Sequence, residues 1–222
     1  MGWAGAPRVP VAGVWGPSIE PMRRESSTMV VLVGEVGEGL LAELGRPGNV
    51  SVARAPEAGQ QDGARPRPAW QAGALAMHEA ARRQSAYVIV PDDPLAGVAA
   101  AWRAMWDVAS GPGGAAAFEE HAAEALAAWR DKQFELPDYY LVVAAAQAEG
   151  MGQDLYLGPL RAGRPRRVVV AGVGDSPGQT GRVLDALRTL EHGPWWPPLG
   201  DLIDAARRFY AGGLAERQAA AR

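Results

Sequence analysis

Tyr139-Tyr140-Leu141-Val142-Val143-Ala144-Ala145, then Asp154-Leu155-Tyr156-Leu157-Gly158-Pro159-Leu160, then Arg166-Arg167-Val168-Val169-Val170-Ala171-Gly172-Val173: three apolar runs follow one another after Pro137, separated by short Gly-containing stretches. Their spacing decides the fold of the second half. Each run reads as a strand, and gaps this short leave no room for a crossover helix. The expectation is therefore a three-stranded antiparallel meander. Two helices follow. Val183, Leu184, Leu187 and Leu190 line the first; Leu202, Ile203, Ala206, Phe209 and Tyr210 line the second, which Gly212-Gly213 should stop. Together they form an expected unit over 136–213, with a tail over 214–222.

Upstream the pattern differs. Met29-Val30-Val31-Leu32-Val33 and Tyr87-Val88-Ile89-Val90 are wholly apolar runs, as in strands covered on both faces of a parallel sheet. Asn49 to Ala53 is a third strand, and a helix around Leu40, Leu41 and Leu44 lies between the first and the third. Trp70, Ala74, Met77 and Ala81 recur at helical spacing, as do Leu95, Val98, Trp102 and Met105, and then Phe118, Ala122, Leu126 and Trp129. Strands alternating with helices predict a small three-layer parallel α/β unit over 28–132. Residues 1–27 carry four prolines and are expected to be poorly ordered. The fold class is thus α/β, with the meander and its helices as a distinct second part.

Composition narrows the functions. A net charge of -3 argues against a nucleic-acid binder, which needs a basic excess. The absence of cysteine removes disulfides, thiolate nucleophiles and thiolate metal sites, and fits a reducing cytoplasm. No run reaches the roughly 18 apolar residues of a membrane span, and the first residues lack the layout of a signal peptide. Lys132 and Asn49 are the sole lysine and asparagine, a bias that codon usage in a GC-rich genome explains more simply than arginine-based chemistry.

Several motifs invite a chemical reading. Gly174-Asp175-Ser176-Pro177-Gly178 fits the G-x-S-x-G elbow of a serine hydrolase. The only histidine downstream is His192, at the far end of the helix that Ser176 would start, about 20 Å away at the α-helical rise. Ser176 as an N-cap, with Pro177 at the first helical position and Gln179 reaching back, is the better account. Gly34 to Gly39 follows a strand as a phosphate loop does, but the Lys-Ser/Thr pair is missing, and Glu35 and Glu38 would repel phosphate. Asp92-Asp93 lies where α/β proteins hold ligands and metals, at the end of a strand. The plainer reading makes Asp93 the cap of the next helix, with Pro94 at its first position. His78-Glu79 begins H-E-x-x-H, but Arg82 replaces the second histidine. No metal site, cofactor fingerprint or complete catalytic set emerges.

The residues therefore point away from an enzyme and towards an interaction or accessory subunit of a multi-protein bacterial system. Its contact surfaces would be the Pro-bounded pair Trp195-Trp196 and the basic cluster Arg161, Arg164, Arg166 and Arg167. The other reading is a ligand- or metal-binding α/β domain, or an enzyme, using the strand ends at Gly34, Asp92 and Asp93.

Overall fold

The computed structural model of the chain describes residues 27–56, 68–107, 111–143, 154–171 and 178–220. Five strands form one sheet in the order β2-β3-β1-β4-β5, and every pairing is parallel. They are β1 (Thr28–Gly34), β2 (Val50–Val52), β3 (Tyr87–Val90), β4 (Tyr139–Val143) and β5 (Val168–Ala171). The helices are α1 (Glu38–Leu44), α2 (Ala69–Ala80), α3 (Ala96–Trp106), α4 (Gly111–Arg130), α5 (Arg161–Gly163), α6 (Gln179–Arg188) and α7 (Leu199–Ala220). A π-helical turn, Tyr156–Leu160, runs directly into α5.

The antiparallel meander is not there. Its middle strand is the π-helical turn. Asp154 Oδ1 accepts hydrogen bonds from the backbone N–H groups of Tyr156 (2.9 Å) and Leu157 (3.1 Å), and this starts a helical turn where alternation implied an extended run. Leu155, Tyr156 and Leu160 are buried together on one side, as a helical turn allows. With the middle run helical, it becomes the crossover between β4 and β5, which then pair in parallel, Tyr140 opposite Val168 and Val143 opposite Ala171. Both halves of the chain share a single sheet.

Burial on both faces explains why the strands read as unbroken apolar runs. On β1, Val31 and Val33 face a core built from α2, α3, α4, the π-helical turn and α7, while Val30 and Leu32 face a smaller core under α1 and α6. The larger core holds an aromatic cluster in which Trp102 meets Trp106, Phe118 and Tyr210 edge to face. α7 does not stop at Gly212-Gly213 but continues to Ala220. Gly213 is a notch: a Cβ there would lie 2.5 Å from Trp106 Cη2. Its smallness admits the indole ring, so this glycine serves packing and not termination.

Among the described residues no helix is long and apolar enough to cross a membrane.

Candidate functional site

In an open parallel α/β sheet, ligands sit outside the carboxyl ends of strands, where neighbouring connections depart to opposite faces. Here that place is β1. The chain leaves β1 into α1 on the smaller-core face, whereas the elements after β3 and after β4 pack on the larger-core face. The two neighbours of β1 thus both diverge from it, and Gly34 marks the spot. Its φ is +112, and a Cβ would stand 2.3 Å from the Val143 carbonyl oxygen at the end of β4. Only glycine can make this turn against the adjacent strand.

The loop that follows keeps the spacing Gly34-x4-Gly39 of a phosphate loop but fills the Lys and Ser/Thr positions with Leu40 and Leu41. Both leucines are buried in the smaller core. The loop therefore presents no cation. Glu35 and Gly37 are exposed, and Glu38 is held by Arg54 in a two-pronged pair (2.9 and 2.6 Å). The Arg54 hydrogen bonds draw the Glu38 carboxyl below its ordinary range.

The two aspartates at the end of β3 behave differently from each other. Asp92 is half-buried, and its Oδ2 accepts the Ala55 N–H (2.9 Å), fixing the chain that leaves β2. Asp93 is only 6% exposed. Its Oδ1 accepts from the Leu95 N–H (3.0 Å) and the Tyr140 hydroxyl (3.2 Å), and its Oδ2 from the Tyr156 hydroxyl. The bond to Leu95 closes a turn just ahead of the helix, but Asp93 is not its cap: α3 begins at Ala96 with Leu95 as N-cap, two residues beyond the expected start at Pro94. Burial pushes the Asp93 carboxyl up to about 6, against the opposing pull of the three hydrogen bonds. Tyr140 and Tyr156 are raised well above the usual phenol range by burial and by the neighbouring Asp93 charge.

Beside this corner a small dent, with room for little more than one water, is lined by Trp70, Pro94, Gly97, Val98, His121, Glu124 and Ala125. Gly34 does not line it. Among the described residues, no three His, Asp or Glu side chains gather to hold a metal ion.

Of the other sequence candidates, Arg164, Arg167, Trp195 and Trp196 meet near the opposite, amino edge of the sheet. Arg167 is buried and donates to the carbonyls of Pro194 (3.2 Å), Gly193 (2.8 Å) and Asp138 (3.1 Å). Its guanidinium also lies over the rings of Tyr139 (5.0 Å) and Trp195 (4.7 Å). Arg164, buried too, donates to the Trp195 carbonyl at 2.7 Å. Trp196 is 1% exposed, and its Nε1–H donates to the Pro137 carbonyl at 2.6 Å. Trp195 is half-buried; Arg161 and Arg166 are exposed, the latter bonded to Glu191 and the His192 carbonyl. Arg164 and Arg167 thus form an internal staple with the Trp195-Trp196 segment, while Arg161 and Arg166 stay at the surface.

Ser176 and the rest of the G-x-S-x-G motif up to Pro177 lie outside the described residues; the N-cap of α6 is Gly178. Sequence reasoning missed Tyr140 and Tyr156 as partners of Asp93. Alternation places Tyr140 on the same face as Val142, but nothing local ties it to a carboxylate 47 positions earlier. Asp154, a capping residue ahead of an apolar turn, was the one available hint for Tyr156. No protein-family model, curated protein or solved structure matches the chain.

Proposed function

We propose that the chain is a small-ligand-binding α/β domain whose site lies at the carboxyl edge of the sheet, around the loop Gly34–Gly37 and the end of β3 at Asp92. The observation that carries this reading is the divergence of connections on both sides of β1, with Gly34 turned back against β4. Charge selects the ligand. Glu35 and Asp92 border the edge, while Arg54 is engaged by Glu38 and no lysine or hydroxyl side chain replaces those of a phosphate loop. A neutral or cationic small molecule suits this edge, and a polyphosphate does not.

The reading as an accessory subunit draws less support, since Trp196, Arg164 and Arg167 serve the chain's own packing. Amide chemical-shift mapping on the full chain separates the two. A panel of small amines and neutral polyols is titrated, with ATP as a polyanionic control. Saturable shifts centred on Gly34, Glu35, Gly37 and Asp92 from an amine or polyol, weakened by Glu35→Gln for an amine, support the proposal. Shifts that map to the Trp195 loop instead, or an edge that responds to ATP alone, overturn it.

A further inference from the structure

We propose that Asp93 is the hub of a pH-sensitive latch: its carboxyl group fastens the π-helical turn Tyr156–Leu160 to the sheet, and ionisation of that group favours release of the turn. This does not depend on the identity, or the existence, of a ligand.

The geometry carries it. Three segments meet on one buried carboxyl group: the start of α3 through Leu95, the central region of the sheet through Tyr140, and the turn through Tyr156. The turn is tied to the sheet through side chains. Its backbone bonds are local, Gly158 N–H to Asp154 (2.8 Å), Leu160 N–H to Leu155 (3.1 Å) and Arg164 N–H to Leu160 (2.8 Å). The Arg161 N–H, at the start of α5, bonds back to the carbonyls of Tyr156 and Gly158, so these bonds too stay within one continuous segment. What holds it sideways is the Tyr156–Asp93 bond, the burial of Leu155, Tyr156 and Leu160, and the Arg164–Trp195 contact beyond it. A π-helical turn is also an uncommon conformation, with Pro159 inside it, and such turns cluster at functional places.

Several charged and titratable groups surround Asp93: across the dent α4 brings His121 and Glu124, paired at 3.4 Å. The turn brings Tyr156 and, at its start, Asp154, which pairs at 3.4 Å with Arg103 of α3. β4 brings Tyr140. The same loop brings Asp92, committed to the Ala55 N–H. α2 crosses the Asp93–Pro94 backbone at Gly73, which has no ionisable group. Both phenols are held far above neutrality and stay protonated while a carboxyl titrates.

Linkage fixes the direction. With the turn closed, burial keeps the proton on Asp93 up to about pH 6. With the turn lifted, water reaches the group and its affinity returns to about 3.9. Opening therefore releases a proton between those values, and rising pH favours the open form. The opening equilibrium grows about tenfold from pH 5 to pH 7 and on the order of a hundredfold over the whole window.

Hydrogen exchange on the full chain tests this. Protection factors, corrected for intrinsic rates, are measured at pH 5 and pH 7 for the amides of Gly158, Leu160 and Arg164. The amides of Arg182 and Thr189 in and after α6, under the opposite face, serve as reference. Protection of the turn should fall about tenfold while the reference stays within about twofold, and Asp93→Asn should abolish the fall. Tyr156→Phe removes one bond to the carboxylate, so the transition should persist but move to higher pH; this variant keeps the test decisive if Asp93→Asn does not fold. A turn whose protection ignores pH, a fall shared equally by the reference amides, a fall that survives Asp93→Asn, or a transition that Tyr156→Phe leaves in place would each overturn the latch.

Discussion

Replacing Arg167 by methionine distinguishes an arginine that holds the fold from one kept for a partner. Methionine retains most of the apolar stem and removes every donor. Three carbonyls, those of Pro194, Gly193 and Asp138, then lose their guanidinium partner in a region that is at least partly buried. At about 1 kcal/mol for each lost bond, the three together cost about 3 kcal/mol. Loss of the cation over the Tyr139 and Trp195 rings adds about 1 kcal/mol. A destabilisation of about 4 kcal/mol follows. With a urea dependence of about 2–3 kcal/mol per molar, the unfolding midpoint should fall by more than about 1 M. Circular dichroism in a urea series measures it. Arg167→Lys should recover only part of the loss, because one ammonium cannot reach three carbonyls in the fork geometry. Arg161→Ala, at an exposed position, should change stability by less than about 0.5 kcal/mol. An Arg167→Met midpoint within about 0.2 M of the parent would refute the staple and return this arginine to the pool of partner-binding residues.

The remaining predictions concern single positions. Asp93 carries a folded value of about 6, above its unfolded value, so it favours the folded state below about pH 4, and that contribution is lost as pH rises through 6. The full swing is about 3 kcal/mol, of which about 2 kcal/mol falls between pH 4.5 and 7.5, read as the difference between parent and Asp93→Asn urea midpoints at those two pH values; an identical pH slope in the two proteins would count against the buried carboxyl. Gly34→Ala forces a side chain into positive φ and against the Val143 carbonyl, and should cost at least about 2 kcal/mol, visible as a thermal midpoint lower by several degrees. Within α7 the two glycines should respond in opposite directions. Gly212→Ala meets open space and should stabilise by about 0.5–1 kcal/mol, whereas Gly213→Ala presses on Trp106 and should destabilise by about 1–3 kcal/mol, with a change in tryptophan emission.

How much of this was legible in the sequence depends on how local the deciding contact is. β1 and β3 were readable because burial on both faces writes itself into consecutive residues, and α2 to α4 because one buried face repeats at helical spacing. Asp154–Leu160 was misread because an apolar run of that length fits a strand or a buried turn equally. The choice was made by two backbone N–H groups bonding one aspartate oxygen, a contact that leaves no periodic trace. That single segment turned a parallel crossover into an expected meander. The site candidates show the same limit. Asp93 was singled out by its place after a strand, but its partners come from positions 47 and 63 residues later. Trp195-Trp196 and the arginines were each noticed for being unusual on a surface. That Arg164 and Arg167 bond the backbone of the tryptophan loop depends on pairings across 26 to 31 residues, which composition cannot express.

The strand order also dictates when the protein can fold. β1 lies at the centre of the sheet, and one of its two neighbours, β4, enters the register at Val30 opposite Tyr139, more than a hundred residues later in the chain. A ribosome that has produced only the first α/β half has made a central strand with one edge open, and the Met29 N–H still lacks its acceptor, Asp138. Pairings so distant in sequence slow folding, and an uncovered apolar edge invites association with other chains. The stretch over 28–132 by itself leaves the β4 side of β1 unpaired. Its natural partner in assembly is the second half of the same polypeptide.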